Sequence, residues 1–367
     1  MKISIVYTKG VGPLADGSIS FQNDWTEELE SKVLLTGPNG CGKTTLLRAV
    51  AMLWEAAGYW LDYSKPLPNT HKAYIWLKRW EGVAVIFDNL APLGRRVGLI
   101  VGEFDWTNQI LEKHPETIWL GQSFSGNGNN KIQLIKRLKY HCLQDDSKGT
   151  KLVDDFLKYW ADHRKVLILL LHEKVDASNL IYLDAEERRW VTPKRNVGAY
   201  IADDSSQRWL TKYEVSEDWK GQLEASLINL KTTQLHKYHE VIRNLNEFLF
   251  DKEIDAEIKS GESRLRVKIK GKRGINHTLD ELSAGEHQVL ILVYLISRWL
   301  QPGGIVLIDE PDLFLHPSLV NSLLSTIEKL VLSREGQLLI TSHVVDVWHR
   351  YEAQGKRIEL STGGERQ

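Results

Sequence analysis

An α/β fold built on a mostly parallel sheet is predicted by three stretches of this sequence. The first is Gly37-Pro38-Asn39-Gly40-Cys41-Gly42-Lys43-Thr44-Thr45, which follows the apolar run Lys32-Val33-Leu34-Leu35-Thr36 and precedes a stretch of helical spacing, residues 45–54. The second is Gly304-Ile305-Val306-Leu307-Ile308, ending in Asp309-Glu310, and the third is Gln337-Leu338-Leu339-Ile340-Thr341-Ser342-His343. Short apolar runs with polar ends suit buried parallel strands whose C-terminal tips meet a ligand.

The first stretch fits G-x-x-x-x-G-K-[ST], the spacing of a phosphate-binding P-loop. A glycine-rich turn lets successive backbone N–H groups converge on phosphate oxygens, and the dipole of the following helix favours negative charge. Lys43 is expected to reach the β and γ phosphates of a nucleotide, and the Thr44 hydroxyl to ligate Mg²⁺. A plain strand-to-helix turn with a surface lysine is the alternative, and the strand before and the helix after weigh against it.

Composition bounds the rest. A chain of 367 residues suits one large domain with an insertion, or two lobes. The formal net charge is −1, from 47 basic and 48 acidic residues, so any nucleic-acid contact needs a local patch. Cys41 and Cys142 offer neither a disulfide framework nor metal-ligand spacing, which suits a reducing cytosol. The longest apolar run, residues 166–171, falls far below the roughly 18 residues that suggest a membrane span, and the N-terminus lacks a signal-peptide core. A cytoplasmic protein without membrane contact is expected. Thirteen tryptophans, among them Trp76, Trp80, Trp119, Trp190, Trp209 and Trp219, read as core packing rather than a base-stacking surface.

Along the chain, strands fill residues 2–36 and the helix after the P-loop runs to about Gly58. Residues 82–87 and 97–102 read as an antiparallel hairpin, and Ser125–Asn130 as a loop. Spacing turns helical over 151–171; Asn179–Leu183 reads as a strand feeding a charged turn, 184–189. Residues 216–250 form one bent helix or two, followed by a hairpin over 254–258 and 265–269. The nucleotide-binding core is assigned to 1–60 and 275–367, with 61–274 as a β-hairpin and helical insertion or lobe.

Asp309, at the tip of the second strand, is expected to hold Mg²⁺ through a water, and Glu310 to orient or activate the attacking water. Upstream lies Leu282-Ser283-Ala284-Gly285-Glu286-His287-Gln288, where Ser283 sits at an N-cap and small residues allow close backbone approach, a second anion site. Taken alone, Ser283 and Glu286 also form an ordinary capping box. The segment resembles the signature motif of ABC-type ATPases, in which this site serves the nucleotide of the opposite subunit, so that Ser283, Ala284, Gly285 and Glu286 would contact ATP across a dimer. His343 then lies at the family's switch position, where it would sense the γ-phosphate; a structural histidine is the alternative.

The interval from P-loop to signature is longer than in transporter ATPases. After Glu310, Pro311-Asp312-Leu313-Phe314-Leu315-His316-Pro317 resembles the D-E-P-x-x-x-L-H-P pattern of the OLD, Septu-type and RecF/SMC-like branch. Residues 181–189 resemble the strand-then-arginine segment of the same ATPases. The resemblance covers 1–60 and 180–350 and implies an ATP hydrolase that dimerises around ATP and Mg²⁺. It further implies a sensor or regulator of a separate effector, such as a nuclease, in anti-phage defence or DNA maintenance. Neither a nuclease domain within residues 344–367 nor a long coiled coil is expected. Gln122 is the candidate for the family's Mg²⁺-contacting glutamine, a polar loop residue being the alternative. The cluster Arg188, Arg189, Lys194 and Arg195 is where DNA or partner contact would be sought, a solvated charged loop being the alternative. A transporter subunit and a non-hydrolysing scaffold are the rival functions.

Overall fold

The computed structural model of the chain describes residues 1–125, 132–138, 146–169, 175–190, 205–213, 223–258, 264–272 and 276–361. In chain order the strands are β1 (Lys2–Lys9), β2 (Gly17–Ser20), β3 (Lys32–Thr36), β4 (Gly82–Leu90), β5 (Arg95–Glu103), β6 (Ile118–Phe124), β7 (Ile132–Arg137), β8 (Leu180–Leu183), β9 (Leu210–Lys212), β10 (Lys252–Ile254), β11 (Val267–Ile269), β12 (Asn276–His277), β13 (Ile305–Ile308), β14 (Gln337–Thr341) and β15 (Lys356–Glu359). The helices are α1 (Lys43–Tyr63), α2 (Lys72–Leu77), α3 (Phe104–Lys113), α4 (Asp146–Leu169), α5 (Leu223–Thr233), α6 (Leu235–Asn246), α7 (Ala284–Trp299), α8 (Pro317–Leu332) and α9 (Val345–Gln354).

The central sheet has the order β15-β3-β14-β13-β8-β9 and is parallel throughout. Its inner strands are apolar along their length because both faces are covered. Alternate residues sort cleanly between two cores. Val33, Leu35, Ile305, Leu307 and Leu339 join the core that contains α1, whereas Leu34, Val306, Ile308, Leu338 and Ile340 join the one built by α5 to α9.

On the far side of α1 lies a second sheet of order β2-β1-β4-β5-β6-β7, antiparallel except for β5 and β6. That pair is parallel because α3, a helix that the strand-like reading of residues 73–120 did not contain, crosses over between the two strands. Trp106 and Trp119 lie directly on Gly82 and Gly98, where an added Cβ would meet each ring at 2.3 Å. A third sheet, β10-β11-β12, sits beside α6. The whole is an α/β fold of the P-loop type: a parallel nucleotide sheet, a mostly antiparallel lobe and a helical lobe.

Several boundaries differ from expectation. α1 continues past Gly58 to Tyr63, because Gly58 is there to be approached: a Cβ would lie 2.9 Å from Arg164 Nη2 and 3.0 Å from Trp209 Nε1. Of the stretch 216–250, the described residues 223–250 hold two helices that break at Gln234. β8 and β9 belong to the nucleotide sheet although they fall within 61–274, and β1 and β2 belong to the other sheet although they fall within 1–60. The middle of the chain is therefore woven into both sheets.

Trp119, Trp160 and Trp209 are buried, as core packing requires, while Trp25 is exposed and Trp219 lies outside the described residues. Trp54 and Trp209 stack with centroids 4.4 Å apart at 16°, and each indole N–H donates to the other's carbonyl, at 3.0 and 3.2 Å. No helix among the described residues is long and apolar enough to cross a membrane.

Candidate nucleotide site

β3 delivers the chain into the loop 37–42, and Lys43 opens α1. Gly37 has φ 142° and an added Cβ would meet the Leu360 carbonyl oxygen at 2.5 Å, while Gly42 caps the helix in the left-handed region with Leu14 2.7 Å from any Cβ. Only glycine serves at either place. Pro38, Asn39 and Gly40 are exposed, Cys41 and Gly42 are buried, and Thr45 is half-buried. Lys43 is 6% exposed, and its ammonium donates to the carbonyls of Gly37 and Pro38 at 3.0 Å each and lies 3.9 Å from Cys41 Sγ. The loop thus curls round its own lysine.

The strand tips meet beside it. The Thr44 hydroxyl donates to Asp309 Oδ2 at 2.7 Å, and the Thr341 hydroxyl, at the end of β14, donates to Asp309 Oδ1 at 2.7 Å. Thr341 Oγ1 also accepts the Glu310 N–H at 2.9 Å. Glu310 has φ 45°, and a non-glycine residue held in that region costs about 1–3 kcal/mol. Its carboxylate and His343 Nε2 are 3.6 Å apart, both side chains partly open to solvent. Burial pushes the Asp312 carboxyl above its ordinary value, against a bond from Ser342. Sequence had named Lys43, Thr44, Asp309, Glu310 and His343; Thr341, which holds two of them, was missed, although its place at the strand end two residues before His343 was a signal.

Ser283 and Glu286 form a reciprocal capping box on α7: Glu286 N–H donates to Ser283 Oγ at 3.3 Å, and Ser283 N–H to Glu286 Oε2 at 2.7 Å. Lys252 grips both Glu286 oxygens, at 2.8 and 2.9 Å. Ser283 and Ala284 are exposed, and Gly285 is tucked against the segment after Glu310, where an added Cβ would meet the Phe314 carbonyl oxygen at 3.0 Å. None of the bonds of residues 283–286 runs to this chain's P-loop. His316 caps α8, its ring accepting the Ser318 N–H at 3.3 Å, with Pro317 at the first helical position.

Two expectations are corrected. Gln122 is buried in β6, and its Oε1 accepts from Trp60 Nε1 at 3.3 Å and from the Leu67 N–H at 2.9 Å. Trp60 lies near the C-terminal end of α1, and at about 1.5 Å per residue the helix carries it more than 20 Å from Thr44. Gln122 therefore serves packing and does not reach the metal position. Arg188, assigned to a surface cluster, is 1% exposed and bonded inward to Gln288 and to the Glu310 carbonyl. A buried guanidinium offers nothing to DNA. Arg189 is exposed, and Lys194 and Arg195 lie outside the described residues.

A hydroxyl and a carboxylate converging within 2.7 Å are hard oxygen donors of the kind Mg²⁺ takes. Among the described residues no group of three or more His, Cys, Asp and Glu side chains is arranged to hold a metal. An ion here would draw most of its ligands from water and phosphate.

A family model described as an AAA ATPase domain matches residues 1–345. The chain belongs to the AAA ATPase domain family. The longest helix of this ATPase among the described residues, α4, has 24 residues, so these hold no long coiled coil. It is 34% identical over 376 residues to a retron Ec83 probable ATPase of Escherichia coli, covering 89% of this chain and 66% of that protein. It is 27% identical over 150 residues to a probable ABC transporter ATP-binding protein p29 of Mesomycoplasma hyorhinis, covering 37% of this chain and 57% of that one. The matches thus span under two thirds of either relative. Among solved structures, an SMC head bound to the C-winged helix domain of ScpA aligns over 99% of this chain and 95% of that one, with TM-score 0.48 and 13% identity. The SMC head domain from Thermotoga maritima aligns over 99% and 97%, with TM-score 0.43 and 13% identity.

Proposed function

We propose that this ATPase binds Mg·ATP on Gly37–Thr45 and hydrolyses it between two copies of the chain. The observation that carries the reading is the meeting of Thr44, Asp309, Glu310 and His343 at adjoining strand tips. Lys43 neutralises the β and γ phosphates, and the loop N–H groups bind them. Thr44 and Asp309 hold Mg²⁺, which when bound neutralises charge on the phosphate oxygens. Glu310 orients the attacking water and takes its proton, while His343, 3.6 Å from the carboxylate, faces the γ-phosphate. Outward-facing Ser283 and Ala284 present the start of α7 to the nucleotide of the second copy.

The role of the ATPase is to sense or regulate a separate effector, in the cytoplasm, in anti-phage defence or DNA maintenance. The retron relative supports the defence arm, since its match takes in 89% of this chain, against 37% for the transporter-named relative. The test is ATP hydrolysis and particle mass for wild type, Lys43→Ala and Glu310→Gln, with and without ATP and duplex DNA. Lys43→Ala should bind ATP about 10- to 100-fold more weakly, the loss of one charge-assisted contact. Glu310→Gln should bind ATP, turn it over slowly and double its mass. Normal turnover by Glu310→Gln would refute the catalytic assignment, and mass indifferent to ATP would remove the dimer.

A further inference from the structure

Arg188 stands where three elements meet. Its Nε donates to Gln288 Oε1 on α7 at 3.0 Å, and Gln288 Nε2 donates back to the Arg188 carbonyl at 2.5 Å. Its Nη2 donates to the Glu310 carbonyl at 2.7 Å, and Nη1 reaches the Leu183 carbonyl at the tip of β8 at 3.5 Å. Burial lowers its pKa to about 10, so it stays charged at neutral pH among Asp309, Asp184, Asp312 and Glu310.

The residues around it form a strap. Asp184 takes the Arg48 guanidinium of α1 at 2.5 Å and the Tyr182 hydroxyl at 2.6 Å. Trp190 stacks on His287 of α7, with centroids 4.3 Å apart at 4°, and donates to Asp280 at 2.7 Å. Residues 184–190 thus tie the helix that leaves the P-loop to the helix that carries Ser283–Glu286, and pass behind Glu310.

Glu310 is held in the left-handed region from both ends. Thr341 Oγ1 accepts its N–H, and Arg188 donates to its carbonyl. Such a conformation persists in a residue with a side chain only where the surroundings over-determine it.

We infer that Arg188 is the positioning residue for Glu310, and that through Gln288 it makes the placing of Glu310 depend on the start of α7. Gln288 fixes the guanidinium, the guanidinium fixes the Glu310 carbonyl, and the Glu310 backbone aims the carboxylate. A planar five-donor fork serves both acceptors at once, which the point charge of lysine does not. The inference rests on the reading of Glu310 as the residue that orients the water. It adds that a partner engaging Ser283–Glu286 acts on Glu310 of the same chain, and so links one nucleotide site to the other.

The test measures kcat, KM and direct ATP binding for Arg188→Met, Arg188→Lys and Gln288→Leu, each alone and combined with Glu310→Gln, with single-turnover product formation for the slow variants. Arg188→Met should lower kcat about 10- to 100-fold, the size expected for a catalytic group misplaced by about 1 Å, with ATP affinity unchanged. Arg188→Lys should recover only part of that loss. In the Glu310→Gln background neither should lower the rate further, because the group they position is gone. An equal loss in that background, or unchanged kcat in folded Arg188→Met, overturns the inference. Should Arg188→Met fail to fold, Gln288→Leu decides: lost kcat with intact binding supports the link to α7, and unchanged kcat overturns it. Normal turnover by Glu310→Gln alone overturns the reading beneath it and is told apart by that single variant.

Discussion

Thr341 does two jobs with one hydroxyl, donating to Asp309 and accepting from the Glu310 N–H. Valine is nearly isosteric and does neither. Thr341→Val leaves an acceptor and a donor in a buried place without partners, a cost of about 1–3 kcal/mol for each unsatisfied group. Melting temperature and ATP turnover should both fall, and Thr341→Ser should restore most of each; retention of both by Thr341→Val would show that the hydroxyl is dispensable. The contrast with Lys43 is instructive. Lysine in a G-x-x-x-x-G-K-[ST] run is readable because the loop's chemistry needs every position in it. A threonine that ends an apolar strand has many reasons to be there, and only the tertiary meeting of β13 and β14 selects one.

At the scale of elements, the start of α7 carries a pH dependence. Burial pushes the Glu286 carboxyl up and is outweighed by bonds from Lys252 and Ser283, so its pKa lies below the ordinary 4.5. A carboxylate depressed in the folded state stabilises it fully above the unfolded value, and that stabilisation is lost as pH falls through the folded one. The gap in melting temperature between wild type and Glu286→Gln should therefore be widest near neutrality and close below 4.5. A gap that is constant with pH would mean that the capping box holds without charge. The elements most legible in the sequence were β3, β13 and β14, because burial on both faces leaves an unbroken apolar run. Gly58 misled because a glycine chosen for close approach to Arg164 and Trp209 looks the same in sequence as one that ends a helix. Arg188 and Gln122 misled in the same way: a charged or amide side chain in a polar-looking stretch reads as surface until its buried partners are known. α3 was missed because its apolar face is short, with Trp106, Ile110 and Leu111 buried among polar neighbours.

Across the whole molecule, α1 is the shared layer between two sheets, and Gln337 is the polar tie that joins them directly. Sitting fully buried at the start of β14, it accepts the Ile3 N–H at 2.7 Å and donates to the Ile3 carbonyl at 3.2 Å and the Glu30 carbonyl at 2.8 Å. β1 shifts register between Ile3 and Ile5, and this side chain supplies backbone partners there. Gln337→Leu should cost about 1–3 kcal/mol for each orphaned group and should raise amide hydrogen exchange at Ile3 more than at Ile308. Equal protection at both would show that the sheets stay joined without it.

The paired indoles of Trp54 and Trp209 give this architecture an optical readout. Trp54 rides on α1, which starts where the phosphate loop ends, and Trp209 sits just before β9 on the opposite flank of the same core. Two transition dipoles stacked at 4.4 Å and locked by reciprocal bonds absorb as a coupled pair rather than as separate chromophores. A tilt of the helix that changes their mutual angle would be recorded by circular dichroism in the indole bands without a label.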